Sequence, residues 1–87
     1  MHERSLIANL LRKIEAIARD QQASRVTGVR VRIGALAHIS ADHLLEHFVD
    51  AARGTVAEGA RAEIETLADV TDPHAQEILL DSVEIED

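Results

Sequence analysis

The sequence predicts an α+β domain in which two helices pack on one face of a three-stranded mixed sheet. Two stretches carry apolar residues at the three-and-four spacing of an amphipathic helix. Three shorter stretches alternate apolar with polar residues, as half-buried strands do. Turn residues separate these five stretches. A chain of 87 residues is long enough for one such domain, so residues 1–87 are expected to form a single unit.

The first stretch predicts a helix with Ser5 as its N-cap. It is expected to run to about Gln22, where a polar run ends the apolar pattern. The stripe expected to pack in the core comprises Leu6, Ile7, Leu10, Leu11, Ile14, Ile17 and Ala18.

A strand is predicted from Val29 to Ile33, with Arg30 and Arg32 on its polar face and Gly34 closing it. A second helix should follow, capped by Ser40 and running from about Ala41 to Arg53, with Gly54 as the residue after its last turn. The apolar face expected for this helix comprises Leu44, Leu45, Phe48, Val49 and Ala52.

The last third of the chain predicts two strands joined by a short turn over about residues 68–76, where Pro73 stops the first ladder. The first of these strands covers about residues 61–66, and the second runs from Glu77 to Glu86. Leu79, Val83 and Ile85 should face inward in that last strand. Ile78 and Leu80 break the alternation, so either a bulge or a two-sided contact is expected there.

Charges on the polar faces of the strands predict their order. Arg30 and Arg32 lie on one strand, whereas the acidic residues Glu63, Glu65, Glu84 and Glu86 lie on the other two. Like charges directly opposite each other destabilise a sheet. The arginine strand is therefore expected between the two acidic strands.

Composition excludes several classes of function. Sixteen acidic and nine basic residues give a net charge of −7, which repels phosphate backbones and anionic membranes. No stretch approaches the roughly 20 apolar residues of a membrane span, and the start lacks a targeting pattern. With no cysteine, disulfides and thiolate zinc sites are excluded. We expect a cytoplasmic protein that binds neither nucleic acid nor membranes.

The opening Met1-His2-Glu3 predicts a nitrogen-rich metal site. The amine of Met1, the imidazole of His2 and the amide nitrogens of residues 2 and 3 lie within a few bonds of each other and can close small chelate rings. Ni(II) and Cu(II) favour such square-planar nitrogen sets, whereas Mg(II) and Ca(II) seek oxygen. A large second residue normally protects the initiator methionine, so the amine of Met1 is expected to persist.

Other histidines offer weaker candidates. His43 to His47 matches the H-x-x-E-H pattern of inverted zinc proteases, but a solvated helix face with adventitious metal binding is the expected reading. His38 is an additional candidate ligand if its loop packs near the first residues, and otherwise a solvated loop residue. His74 is interpreted as a turn residue. No catalytic set or phosphate loop can be assembled, so an enzyme is not expected.

Three runs of residues match one known family. They are Met1-His2-Glu3-x-Ser5-Leu6, Val29-x-Val31-x-Ile33-Gly34-Ala35-Leu36 and Arg53-Gly54-Thr55-x-Ala57-Glu58-Gly59-Ala60-Arg61-x-Glu63-Ile64-Glu65. On these runs the chain resembles the HypA/HybF family of nickel metallochaperones, which serve the maturation of NiFe-hydrogenase and, in some organisms, urease.

The resemblance implies that Met1 and His2 bind nickel through the terminal amine, the imidazole and nearby backbone nitrogens, and that Glu3 is linked to nickel transfer. Family members also carry a zinc lobe with two Cys-x-x-Cys pairs before the closing strand. This chain has no cysteine and only the short bridge there, so no zinc is expected.

The resemblance therefore implies a nickel-binding metallochaperone that helps to insert nickel into NiFe-hydrogenase, or urease. Its expected partners are the maturation GTPase of the hydrogenase pathway, the hydrogenase large-subunit precursor, or another copy of the chain. The alternative is a scaffold or assembly subunit that retains the fold without transferring metal. Its exposed sheet edges would pair with a partner.

Overall fold

The computed structural model describes residues 3–87, with side chains from Ser5 onward. Two helices and three strands follow one another in the order α-β-α-β-β, and the predicted α+β class is confirmed. The elements are α1 (Glu3–Asp20), β1 (Arg25–Ile33), α2 (Ala41–Ala51), β2 (Arg61–Thr66) and β3 (Ile78–Glu86).

The sheet has the order β2-β1-β3, with β2 parallel and β3 antiparallel to β1. The arginine strand is thus central, as the charges predict. Arg30 lies opposite Glu63 in the register, and Nη2 of the arginine is 3.0 Å from Oε2 of the glutamate. Arg32 lies opposite Glu65 at 3.5 Å and also reaches Asp81 on β3 at 3.8 Å. Opposite charges therefore span the solvent face of the sheet.

A bulge in β3 decides which of its side chains face inward. Arg30 pairs with Ser82 and Val31 pairs with Leu80, so Asp81 is left as the extra residue. The expectation that Leu79 faces the core is wrong, because the bulge reverses the alternation between residues 80 and 83. The side chains that pack against the core from this strand are Ile78, Leu80, Val83 and Ile85.

α1 and β1 differ from their predicted limits. The helix begins at Glu3, so Ser5 lies within its first turn and is not the N-cap. It ends at Asp20, and Gln22 adopts a left-handed conformation with φ 54°, which stops the helix. β1 begins at Arg25, four residues earlier than expected. A second register shift lies just after Val26, so apolar and polar residues do not alternate regularly in this part of the strand.

α2 starts where expected and ends two residues early. The hydroxyl of Ser40 accepts a hydrogen bond from the amide of His43 at 3.1 Å, which confirms the predicted N-cap. The helix ends at Ala51 with Ala52 as its C-cap, so the prediction that it runs to Arg53 is wrong. Left-handed Gly54, at φ 78°, turns the chain away after the last turn.

The core lies between the two helices and the inner face of the sheet. Its largest fully buried side chains are Phe48, Ile14, Ile33, Leu44, Val26 and Val31. Leu45 and Val49, expected in the core, are 39% and 51% exposed, and Ile17 is also exposed. α2 packs over the edge strand β2, so the outer flank of the helix has no further strand to cover it.

Residues 67–77 join β2 to β3 and pack back onto the loop after β1. The amide of Leu36 donates to the carbonyl of Ala75 at 2.7 Å, and the amide of Gly34 donates to the carbonyl of Glu77 at 2.9 Å. A Cβ atom on Gly34 would overlap the backbone of Ala75, which is itself buried. The connection is therefore part of the packed structure and covers one end of the sheet.

Candidate metal site

The start of α1, His38 and His74 lie at one end of the molecule. β1 ends there at Ile33, opposite Ile78, the first residue of β3. The loop of residues 34–40 leads directly from that end into α2. Leu6 of α1 shares a groove with Ile78, so α1 also begins at this end. We call this region the loop end: the start of α1, the loop 34–40 and the connection 67–77.

Of the predicted nickel ligands, Met1 and His2 lie outside the described residues. Glu3 is the first residue of α1, and its backbone is therefore placed at the loop end. The first four amide groups of an α-helix have no intrahelical acceptor. The amide nitrogen of Glu3 is one of these, so its use as a metal ligand would break no helical hydrogen bond.

His38 lies in the middle of the loop 34–40, with an exposed side chain. Its backbone is left-handed, at φ 58°, a region that histidine enters more readily than most residues. The loop lies at the end where α1 begins, but the first residues, near which it was expected to pack, lie outside the described residues. Its role in binding nickel stays a prediction.

His74, which was interpreted as a turn residue, also contacts Glu77 through its side chain. Its Nδ1 atom is 2.5 Å from Oε2 of Glu77, and its amide donates to Oδ1 of Asp72 at 2.7 Å. The hydrogen bond and the negative charge of Glu77 raise the pKa of His74 above its usual value. The signal available in the sequence was a histidine three residues before a glutamate, directly after an Asp-Pro turn.

His43 and His47 lie one turn apart on α2, and their ring centroids are 5.0 Å apart. His43 is exposed, whereas His47 is half-buried and lines a groove with Ile7 and Leu11 of α1. The described residues contain no group of three or more histidine or acidic side chains that could hold a metal ion. Within residues 5–87, therefore, nothing supplies the third protein ligand of a zinc protease.

Within residues 3–87, no helix has the length and hydropathy needed to cross a membrane.

The family model described as "Hydrogenase/urease nickel incorporation, metallochaperone, hypA" matches residues 1–72. The hydrogenase maturation factor HypA of Archaeoglobus fulgidus is 44% identical over 64 residues, which cover 74% of this chain and 58% of that protein. The HypA of Methylocella silvestris is 45% identical over 65 residues, with coverages of 75% and 58%. The chain thus spans 58% of the length of these two curated relatives.

A solved structure shares the fold. The solution structure of the Ni metallochaperone HypA from Helicobacter pylori matches with a TM-score of 0.80 and 19% identity, over 99% of this chain and 98% of that one. At this identity the likeness shows the fold alone.

Proposed function

We propose that this chain, which belongs to the HypA family of hydrogenase and urease nickel-incorporation metallochaperones, binds Ni(II) at Met1, His2 and Glu3 and delivers it during maturation of NiFe-hydrogenase or urease. The observation that carries the proposal is the family match over residues 1–72, which begins with these three residues. Their nitrogens form the donor set that Ni(II) prefers.

The position of α1 supports delivery rather than storage. The first core residue of the helix in the described chain is Ile7, one turn after Glu3. All the core residues that the described part of α1 contributes thus follow Glu3, which supports a site that exchanges its ion without rearranging the core. A site outside the cooperative core can exchange its ligand without unfolding the domain.

We further propose that residues 1–87 act as one nickel-binding unit in the cytoplasm. The partners would be the maturation GTPase of the hydrogenase pathway and the hydrogenase large-subunit precursor, and a second copy of the chain is another candidate. The net charge of −7 disfavours nucleic acid and anionic membranes. The proposed unit needs no zinc, since the chain offers no thiolate.

The missing cysteines favour one alternative, a scaffold or assembly subunit that keeps the fold without transferring metal. In that case nickel binding would not depend on the free amine of Met1. The two functions thus differ in a measurable property of the chain's first residue.

Calorimetric titration with Ni(II) at neutral pH tests the proposal, using protein with its native start. Stoichiometric, tight binding is expected, and either His2→Ala or one extra residue before Met1 should abolish it while circular dichroism shows an unchanged fold. His38→Ala is the matched histidine control and measures the contribution of His38. Start variants that bind as many ions as the parent, and as tightly, would refute the proposed site.

A further inference from the structure

The two histidines of α2 have the spacing of a metal-chelating pair. His43 and His47 are separated by one helical turn and lie on one face of the helix. Pairs of histidines at this spacing are used as zinc ligands on helices. The motif was predicted to be a solvated helix face with adventitious metal binding. In the structure His43 is exposed, His47 is half-buried and the two rings lie close together.

The distance between the rings fits coordination of one ion by both. A metal–nitrogen bond of about 2.1 Å puts each ring centroid about 3.2 Å from the ion, so rings bound at about 90 to 110° have centroids about 4.6 to 5.3 Å apart. The observed separation is 5.0 Å, with the ring planes tilted by 47°. The ring separation therefore allows both imidazoles to bind one ion once each turns a ring nitrogen towards it.

The pair also lies beside the first turns of α1. His47 shares a groove with Ile7 and Leu11, and α1 and α2 both begin at the loop end. His43 is one turn closer to that end than His47, and Glu3 is one turn closer than Ile7. An ion on the pair would therefore lie next to the beginning of α1.

The charge of α2 favours a cation at this position. The helix carries the carboxylates of Asp42, Glu46 and Asp50 and no lysine or arginine. Asp50 forms an ion pair with Arg53 at 3.2 Å, just beyond the helix, so part of its charge is offset. The remaining carboxylates lower the cost of bringing a divalent ion to the helix surface.

We propose that His43 and His47 form a second site for a borderline divalent ion such as Ni(II), with two imidazole ligands from the protein and water in the remaining positions. Imidazole suits nickel, copper and zinc better than magnesium or calcium. With two protein ligands, the site exchanges its ion readily. It adds a nickel site next to the first turns of α1 and does not depend on the amino-terminal site.

The test uses a blocked variant of the full chain, with His2→Ala and one extra residue before Met1, so that the amino-terminal site is removed. Titration of this variant with Ni(II) chloride is expected to show one bound ion per chain. Adding either His43→Ala or His47→Ala should raise the apparent Kd at least about tenfold, because chelation is lost. Excess Ni(II) should also raise the melting temperature of the blocked variant, but not that of the additionally substituted ones.

The control is the blocked variant carrying His38→Ala or His74→Ala, which should bind as the blocked variant does. Absence of binding to the blocked variant, or binding that survives both α2 substitutions, overturns the second site and leaves the amino-terminal proposal intact. If the parent binds nickel only through His43 and His47, and its binding does not depend on the free amine of Met1, the amino-terminal proposal alone is refuted. Alanine is a strong helix former, so α2 should persist in the variants.

Discussion

The imidazole of His74 contacts Glu77 within the connection between β2 and β3. Hydrogen bonding to Glu77 is the main cause of its raised pKa, its charge the next, and Asp72 adds a smaller effect of the same sign. The pair is solvent-exposed, so its effect on stability is small. The direction of the pKa shift nevertheless determines how this contribution to stability changes with pH.

Glu77→Gln should lower the pKa of His74 towards about 6.5, the ordinary value for histidine. Because the folded pKa is the higher one, the stability that the charged pair contributes is present below the unfolded pKa and is lost as pH rises through the folded pKa. The parent should therefore exceed the variant in stability at about pH 6, and the difference should vanish at about pH 9. NMR titration of the His74 ring and urea unfolding at both pH values measure this.

Glu65→Gln serves as the control, since it removes an exposed acid that pairs with Arg32 and not with His74. It should leave the titration of His74 unchanged. An unaltered His74 pKa in Glu77→Gln would contradict the assigned cause of the shift.

At the scale of elements, two serines that were both predicted to be N-caps have different positions in their helices. Ser40 precedes α2, and its hydroxyl accepts a hydrogen bond from the amide of His43. Ser5 lies within the first turn of α1, because that helix starts two residues earlier. Both residues begin an apolar helical pattern, so the pattern itself does not reveal which serine is the cap.

Ser40→Ala should therefore destabilise the protein by about 0.5 to 2 kcal/mol, the usual cost of losing an N-cap. Ser5→Ala should stay within about 0.5 kcal/mol of the parent, since alanine favours a helix interior. Urea unfolding of the two variants measures the difference. Equal losses in both would contradict the structural assignment of the caps.

The strands show which features of an element its sequence can predict. Arg30 and Arg32 made the central position of β1 predictable, because each needs an acidic neighbour across the sheet. The sequence did not predict that the bulge lies at Asp81, because a bulge at any of several positions near Leu80 would restore the alternation of apolar and polar residues. The register of the pairing between β1 and β3 determines the position of the bulge.

At the scale of the whole molecule, the loop after β1 and the connection 67–77 close the same end of the sheet. They meet where Gly34 approaches Ala75 without room for a side chain. Two hydrogen bonds, Leu36 to Ala75 and Gly34 to Glu77, link the two segments. The loop 34–40, which carries His38, and the connection 67–77, which carries His74, are thus held together by contacts between residues far apart in the chain.

Gly34→Ala should destabilise the protein by about 1 to 3 kcal/mol, because the new methyl group would overlap the backbone of Ala75. Gly28→Ala, within β1, is the matched control. Its Cβ would lie 3.2 Å from a carboxylate oxygen of Glu84, the mobile end of an exposed side chain. A smaller loss is expected there, and urea unfolding compares the two. An equal or smaller loss for Gly34→Ala would show that the two segments are not held this closely.

The sequence by itself determined the α+β class, the order of the strands, the cap of α2 and the presence of Met1-His2-Glu3 at the start. Each of these depends on local periodicity, on charge sign or on residue identity, which are properties of neighbouring residues. Only the tertiary structure decided that Leu45 and Val49 are exposed, since burial depends on how far the sheet extends beneath α2. It also decided that the connection 67–77 and the start of α1 share one end, because strand direction is fixed by pairing between distant segments.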